Sequence, residues 1–311
     1  MAADLLGRMQ SLAFPGGSPE ADAADLHQGH VGVMAATVTV LERIEHESRY
    51  TPRRPQLLPQ LMQVANDGAS SHQAIADIIA QDPALAGNLL RIANSAMYRV
   101  QDRPLESIER AVARIGTDGI RMMIAAALMQ PVMNTDDGVF GRFPALAWEH
   151  TLLSSKAAAE YARRVARSDP FAAQLLGLLH GLASIIVLRV LRDEYARQPL
   201  LQPDPSVALG LLDTWTLQTA QRISQGWGLV DTLGEPLRAL GDSRADGMCS
   251  DPLARSLRFG RAAGALAMLR RHHAIGESEA LAALEVLEPD SEAAGHIWTG
   301  LRVPGDGLAS D

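Results

Sequence analysis

The sequence predicts an all-α fold, because its apolar residues are helix formers that recur at helical spacing. Hydrophobic residues make up 47% of the chain and aromatic residues only 4%, so Leu, Ala, Ile, Val and Met must build the core. Such a composition favours helix over sheet. No long alternation of apolar and polar residues indicates a strand. The 311 residues can form one large helical domain or two packed subdomains, each with its own hydrophobic core.

Charge and cysteine content exclude several classes of partner and site. The formal net charge is −8, so no overall positive field would attract a nucleic acid or an anionic membrane. The single cysteine, Cys249, excludes an internal disulfide and a cysteine-based metal cluster. The first residues lack a signal-peptide pattern, and the apolar stretches 122–128 and 175–188 are shorter than the ~20 residues that span a bilayer. We therefore expect a soluble, cytoplasmic protein.

Turn signals divide the chain into four regions. Residues 1–50 form an N-terminal helical appendage and linker, 51–135 an N-terminal helical subdomain, 144–300 a C-terminal helical subdomain, and 301–311 a tail. The appendage carries two apolar stripes at helical spacing, Leu5, Met9, Leu12 and Ala13 in the first and Val31, Met34, Val38 and Leu41 in the second. We expect both stripes to pack onto their own domain, with an oligomer or partner contact as the alternative.

Capping signals place several helix ends. Ser107 can cap a helix that ends at Gly116. A long helix is expected to end near Arg167, and Ser168-Asp169-Pro170 should then start the next one, because Asp is a favoured N-cap and Pro is tolerated in the first turn. Residues 182–196 are expected to form a further, separate apolar helix.

Five segments resemble, in the same order, the signature of the HDOD family, whose members are helical relatives of the metal-dependent HD phosphohydrolases. They are Gln81–Tyr98 (QDPALAGNLLRIANSAMY), Leu105–Val112 with Ile115-Gly116 after it, Trp148–Thr151, Leu176–His180 and Trp227–Leu229. The resemblance covers about residues 53–245. It implies an N-terminal multi-helix bundle packed against an HD-like C-terminal subdomain, and a regulatory or output role in bacterial signalling.

The resemblance also implies where a metal site would lie. HD phosphohydrolases hold metal ions between a His on one helix, a His-Asp pair on another and later ligands. By motif position the first His is His150 and the pair is His180-Gly181, so the metal-bridging carboxylate is missing. The later histidines are absent too, and Val230 replaces a family Pro. We expect His150 and His180 to be neutral, hydrogen-bonded core residues, with no metal and no other cofactor.

Two other groups are poor candidates for chemistry. Cys249 lies in a Gly-, Ser- and Asp-rich stretch with no base beside it, so we expect an incidental exposed thiol rather than a nucleophile. His272 and His273 follow two arginines at a helix end, where cations complement the helix dipole, so we expect a solvated terminus rather than metal ligands.

These patterns favour a non-catalytic signalling protein that acts through protein–protein interaction. We expect its partners to be signalling proteins, for instance of cyclic-dinucleotide, motility or stress pathways, while homo-oligomerisation is left open. Arg91, Asn94, Ser95 and Tyr98 carry the densest family-like polar pattern, as either a clamp between the subdomains or part of a partner surface. The clamp is favoured, because Asn94 and Ser95 can satisfy backbone groups where their helix ends.

Two alternative functions remain open. A helix-turn-helix within Gln81–Asn94 could read DNA bases with Asn88, Arg91 and Asn94, although the basic surface that DNA binding needs is missing. A residual HD-type phosphohydrolase would need another residue to supply the acid that position 181 lacks.

Overall fold

The protein is helical throughout the part of the chain that the structure describes. The computed structural model describes residues 2–14, 24–52, 60, 72–81, 86–87, 89–90, 93–94, 105–116, 120, 138–242, 249–288 and 290–301. All regular secondary structure in these residues is helical, without a strand, which confirms the all-α prediction. The chain divides into two compact units, one of Met1–Thr51 with Val132–Asp311 and the other of Pro52–Pro131.

The helices are named α1 to α11 in chain order. They are α1 (Ala2–Ser11), α2 (Ala24–Leu41), α3 (His72–Ile79), α4 (108–116), α5 (Phe143–Tyr161), α6 (Pro170–Ala196), α7 (Pro205–Gly226), α8 (Glu235–Asp242), α9 (Pro252–Arg271), α10 (Glu277–Leu287) and α11 (Ser291–Leu301). A 3-10 turn, Ile44–His46, follows α2, and π-helical turns at Ala162–Ala166 and Val230–Gly234 follow α5 and precede α8. Apart from Leu301, the expected C-terminal tail lies outside the described residues.

The smaller unit contains two of the predicted helix signals. The Ser107 hydroxyl oxygen accepts a hydrogen bond from the backbone N–H of Arg110 at 3.3 Å and so caps α4. At the other end of α4, Gly116 has a φ of 62°, a left-handed conformation that glycine adopts without strain. Both predictions are confirmed.

α6 is the central helix of the larger unit and begins where the sequence predicts. The Asp169 side chain accepts hydrogen bonds from the backbone N–H groups of Phe171 at 2.8 Å and Ala172 at 3.1 Å, and Pro170 lies in the first turn. The prediction of a separate helix over residues 182–196 is wrong, because α6 runs unbroken for 27 residues. Burial of this helix outweighs the low helix propensity of its two glycines, Gly177 and Gly181.

By length and composition alone, α6 could cross a membrane. The helix is longer than the 175–188 stretch on which the sequence prediction rested. However, 94% of its most apolar stretch is buried inside the protein. This burial is typical of the core helix of a soluble protein.

α5 approaches α6 so closely that only glycine fits at two positions of α6. A Cβ atom at Gly177 would lie 2.7 Å from Ser155 Cα, and one at Gly181 would lie 2.7 Å from Thr151 Cβ. Both distances are shorter than real Cβ contacts. The two glycines are four residues apart and so lie on one face of α6. α5 and α6 are therefore in close contact along one full turn, through the Ser155 backbone at Gly177 and through the Thr151 side chain at Gly181.

α9 approaches α5 in the same manner from another side. A Cβ atom at Gly260 would lie 2.5 Å from the carbonyl oxygen of Ser154, and one at Gly264 would lie 3.0 Å from the backbone nitrogen of Ser154. These glycines are again four residues apart. α5 is thus held between two helices, each of which presents a pair of glycines to it.

The first apolar stripe of the N-terminal region packs onto the larger unit, as predicted. α1 lies against α9 and α7. Leu5, Met9 and Ala13 are almost fully buried. Phe14, just after α1, stacks on Phe143 with the ring centroids 6.0 Å apart.

The second stripe is only partly buried, although α2 packs against α6. Leu41 is buried as predicted, but Val31 and Met34 are 51% and 37% exposed, so the prediction is wrong for these two residues. Val33 and Thr37 face the core in their place. Because α2 is apolar or small on nearly every side, the spacing of its apolar residues does not select a face.

Cys249 is buried, so the prediction of an exposed thiol is wrong. Cys249 lies two residues before Asp251, which caps the start of α9. The Asp251 side chain accepts a hydrogen bond from the backbone N–H of Ala254 at 2.7 Å. The thiol of Cys249 lies 3.9 Å from the carbonyl oxygen of Asp251. At the other end of α9, His272 and His273 are exposed, as predicted.

The glycine contacts can be tested with two matched substitutions. Gly260→Ala should lower the free energy of unfolding by about 1–3 kcal/mol, because the added methyl group would overlap the Ser154 carbonyl oxygen. Gly210→Ala is the control, since Gly210 lies inside α7 and a Cβ there meets no atom within 4 Å. It should gain about 0.5–1 kcal/mol from helix propensity. Urea titrations measure both changes, and equal stabilisation by both substitutions would contradict the close packing.

Candidate functional site

The His150 ring is buried in α5 and held by hydrogen bonds. Its Nε2 atom lies 3.0 Å from the carbonyl oxygen of Arg261 and 2.9 Å from the Ser154 hydroxyl oxygen. A carbonyl oxygen can only accept, so Nε2 carries the hydrogen and donates it. A ring nitrogen that donates has no lone pair for a metal ion. The Nε2 atom of His150 is therefore not available as a metal ligand.

Burial keeps His150 neutral. The pKa of His150 is lowered from 6.5 to about 4, chiefly because the buried surroundings disfavour a charged ring. The hydrogen bond to the Arg261 carbonyl opposes this shift, whereas the positive charge of Arg261 adds to it. At neutral pH, His150 thus has the environment that the sequence predicts, that of a neutral core residue with hydrogen bonds.

His180 lines a cavity of about 240 Å³ between α1, α6, α7 and α9. The polar residues that line the cavity are Gln10, His180, Asp213, Thr216 and Arg261, and leucines of α1 and α7 supply the apolar wall. His150 is not one of the lining residues. The structure therefore does not bring the two imidazoles of the predicted metal positions into one cavity.

Position 181 lacks not only an acid but also the space for one. A Cβ atom at Gly181 would lie 2.5 Å from Thr151 Cγ2 and closer still to Thr151 Oγ1. Thr151 is itself fixed, because it is 1% exposed and its hydroxyl donates to the Ala147 carbonyl oxygen at 2.6 Å. The Thr151 side chain thus occupies the space that a side chain at position 181 would need.

The groups around the cavity do not fit a divalent metal ion. The cavity offers one imidazole, from His180, and one carboxylate, from the exposed Asp213. Arg261 adds a positive charge, which disfavours a cation. Catalytic zinc usually has three protein ligands, and di-metal centres have more. Among the described residues, no group of three or more His, Cys, Asp or Glu side chains could hold a metal ion.

Gln10 and Arg261 line the cavity, and Thr151 fills the space beside Gly181, but the sequence did not point to these three residues as a set. Thr151 falls within a resembling segment, yet its role depends on how closely α5 approaches α6. Gln10 and Arg261 lie on helices outside the resemblance. The one signal at Arg261 is a lone arginine between glycines in the run Gly260–Gly264, and such a pattern is common in helices.

Of the four polar residues predicted at a clamp or partner surface, the structure describes only Asn94. Its Nδ2 atom donates to the carbonyl oxygen of Leu105 at 2.9 Å, and its Oδ1 atom accepts from the Leu105 backbone N–H at 2.7 Å. Asn94 therefore satisfies backbone groups, but inside its own unit. Arg91, Ser95 and Tyr98 lie outside the described residues, and a role of the four in interaction stays a prediction.

The chain matches one protein family in sequence and several solved structures in fold. The model of the HDOD domain matches residues 51–236. No curated protein matches the chain in sequence.

Three solved structures share the fold. The first is a protein of Shewanella amazonensis SB2B that is named provisionally as a metal-dependent phosphohydrolase. Its sequence is 19% identical to this chain, and the structures superpose with a TM-score of 0.51. The match covers 88% of this chain and 100% of the Shewanella chain. An HDOD domain protein of unknown function from Geobacter sulfurreducens is 19% identical with a TM-score of 0.53, over 86% and 90% of the two chains. A protein of Marinobacter aquaeolei VT8, named provisionally as a signal transduction protein, is 18% identical with a TM-score of 0.52, over 88% and 66%.

The neutral, buried His150 should make stability depend on pH. Between pH 6.5 and pH 4 the unfolded chain binds a proton at this ring that the folded protein does not accept. The contribution of His150 to the free energy of unfolding is therefore complete above pH 6.5 and is lost as the pH falls through this window. With about 1.4 kcal/mol for each unit of pKa difference, the loss at pH 4 is about 3 kcal/mol.

Urea unfolding of the wild type and of His150→Gln at pH 7 and pH 4 measures this contribution. Glutamine keeps an N–H donor for the Arg261 carbonyl but does not titrate. The wild type should lose about 3 kcal/mol more than the variant over this interval, since the carboxylates titrate in both proteins. Equal losses would show that His150 does not cause the pH dependence.

Proposed function

Because the chain belongs to the HDOD family, we propose that it is a non-catalytic bacterial signalling protein that acts through protein–protein interaction. The observation that carries this proposal is the Thr151 side chain, which fills the space of the acid that position 181 lacks. A carboxylate at this position is what lets HD phosphohydrolases bridge metal ions and position the attacking water. Without it, the shape and the surface of the molecule are its remaining means of action.

Other signalling proteins are the expected partners, such as components of cyclic-dinucleotide, motility or stress pathways. One of the solved structures with this fold is provisionally named a signal transduction protein, which supports the same context. The net charge of −8 disfavours both nucleic acid and an anionic membrane surface. The burial of α6 supports a soluble protein, and a cytoplasmic location is part of the proposal.

The DNA-binding alternative is weakened at one of its three base-reading residues. Both polar atoms of the Asn94 amide are used on the backbone of Leu105. The pairing of Asn with adenine needs the same two atoms. Asn88 and Arg91, the other two, lie outside the described residues.

The absence of catalysis can be tested on the purified protein. We expect far less than one metal ion per chain, and no turnover of cyclic dinucleotides or phosphomonoesters with Mg²⁺, Mn²⁺ or Fe²⁺, because the ligand set is incomplete. Elemental analysis and product assays measure these outcomes. His180→Gln, which removes the imidazole of the cavity, should show the same background. Stoichiometric metal together with turnover that His180→Gln abolishes would establish the hydrolase alternative.

α2 offers a surface on which interaction can be tested. Val31 and Met34 are three residues apart and exposed, so a charge there alters the surface without opening the core. Met34→Glu should weaken partner binding by about 2 kcal/mol, the value of an interface hot spot, without a change in Tm. Thr39→Glu, at another exposed position of α2, is the control and should bind normally.

The measurement is affinity capture from the native organism with three full-length baits, namely the wild type, Met34→Glu and Thr39→Glu. Titration of the captured protein against each bait then gives the binding affinities. A partner that binds the wild type and both variants equally would contradict a role for this face of α2. If the partner is a second copy of the chain, light scattering should show a dimer that Met34→Glu dissociates.

A further inference from the structure

A cavity of about 410 Å³ lies in the larger unit, beside the C-terminal half of α6. Its interior is mostly apolar, because Phe140, Ile185, Leu188 and Tyr195 line it and are all nearly fully buried. The volume exceeds the roughly 150 Å³ of a cavity that truncation of a core leucine to alanine opens. The cavity therefore has room for a leucine side chain and for part of the segment that carries it.

The loop between α6 and α7, residues 197–204, forms one rim of this cavity. Pro199, Leu201 and Pro203 are among the residues that line it. The loop is held in place, since the backbone N–H of Leu201 donates to the Gln198 carbonyl oxygen at 2.9 Å. The Leu201 side chain also packs on α2, where a Cβ atom at Gly29 would lie 3.2 Å from it.

Leu200 projects from this rim, with 96% of its surface exposed. A single exposed leucine is common on protein surfaces and implies nothing by itself. Leu200, however, lies between two residues that line an apolar cavity, and Val139 in the same lining is 45% exposed. An exposed apolar side chain and an apolar hole thus lie on the same part of the surface.

The charges around the cavity permit contact between two copies of the chain. At a net charge of −8, two copies repel each other. Among the described residues that line the cavity, Asp193 is the only acid, and it is balanced by Arg49 at 2.7 Å and by Arg192 at 3.1 Å. This part of the surface therefore brings no unbalanced negative charge into an interface.

We propose that the chain forms a two-fold symmetric dimer in which Leu200 of each copy inserts into the cavity of the other. A two-fold interface pairs one surface patch with itself, so the patch must carry both sides of each contact. The loop and the cavity meet this condition, because the side chain and the hole are adjacent. The loop is also held in place before binding, which lowers the entropic cost of association.

A second copy fits this surface better than an unrelated protein does. An unrelated partner would have to fill the cavity and also cover Leu200, whereas a second copy does both through one repeated contact. The proposal goes beyond the signalling role and does not depend on it, because self-association is measured without any partner protein.

Sedimentation velocity of the full-length protein, from about 1 to about 500 µM, tests the dimer. The wild type should show a concentration-dependent equilibrium between monomer and dimer. Leu200→Asn should raise the dissociation constant about a hundredfold or more, because each dimer loses two buried leucines that contribute roughly tenfold each. Val286→Asn, at an exposed apolar residue of α10, is the matched control and should dimerise like the wild type. Neither substitution should change the Tm of the monomer, since both side chains are exposed in the single chain.

Gly138→Leu tests the hole separately from Leu200. Gly138 lines the cavity, and a Cβ atom there meets no atom within 4 Å, so a leucine should fit and fill part of the space. This variant should also dimerise weakly. An equimolar mixture of Gly138→Leu and Leu200→Asn should associate more tightly than either variant alone, because one intact leucine then meets one intact cavity.

Three results would overturn the proposal. They are a wild type that stays monomeric up to about 500 µM, equal dimerisation of the wild type and Leu200→Asn, and a mixture that associates no better than its components. Met34→Glu, on α2, should leave this dimer intact. A dimer that is lost with Met34→Glu and kept with Leu200→Asn would place the interface on α2 instead.

Discussion

The backbone contact of α5 with α6 and α9 is the constraint on which the rest of the larger unit depends. Gly177 and Gly181 on one side and Gly260 and Gly264 on the other let three helices approach without intervening side chains. A methyl group added at Gly177, Gly260 or Gly264 would crowd backbone atoms of α5, and one added at Gly181 would crowd the Thr151 side chain. The contact also brings the Arg261 carbonyl oxygen within hydrogen-bonding distance of the His150 ring.

The same contact between α5 and α9 also determines the protonation of the His150 ring. A hydrolytic HD site concentrates carboxylates and imidazole lone pairs around cations. In this chain, the Nε2 atom of His150 donates to a carbonyl, and the pKa of the ring is depressed by burial. Beside His180, the carboxylate of Asp213 and the guanidinium of Arg261 carry opposite charges, so the lining does not provide the set of ligands that a metal ion needs.

The parts of the structure that the sequence predicted are those set by local chemistry. Ser107 and Asp169 cap helices because their side chains reach backbone N–H groups two or three residues away, a geometry that is independent of the rest of the fold. The burial of Cys249 and the face that α2 turns to the core depend on contacts between distant segments. The positions of His150, His180 and Gly181 followed from motif order. The roles of Thr151 and Arg261 did not, because they arise only when three helices meet.

The loss of the acid at position 181 is coupled to its surroundings and is more than one substitution away from reversal. An aspartate there would first require a smaller residue at Thr151, whose hydroxyl and methyl groups occupy its space. The His150 ring would also have to give up its hydrogen bond to the Arg261 carbonyl oxygen before it could offer Nε2 to a metal ion. These residues lie on three different helices that are in backbone contact, so each change shifts the others. Such coupling opposes the return of a metal-bridging acid at position 181 by a single substitution.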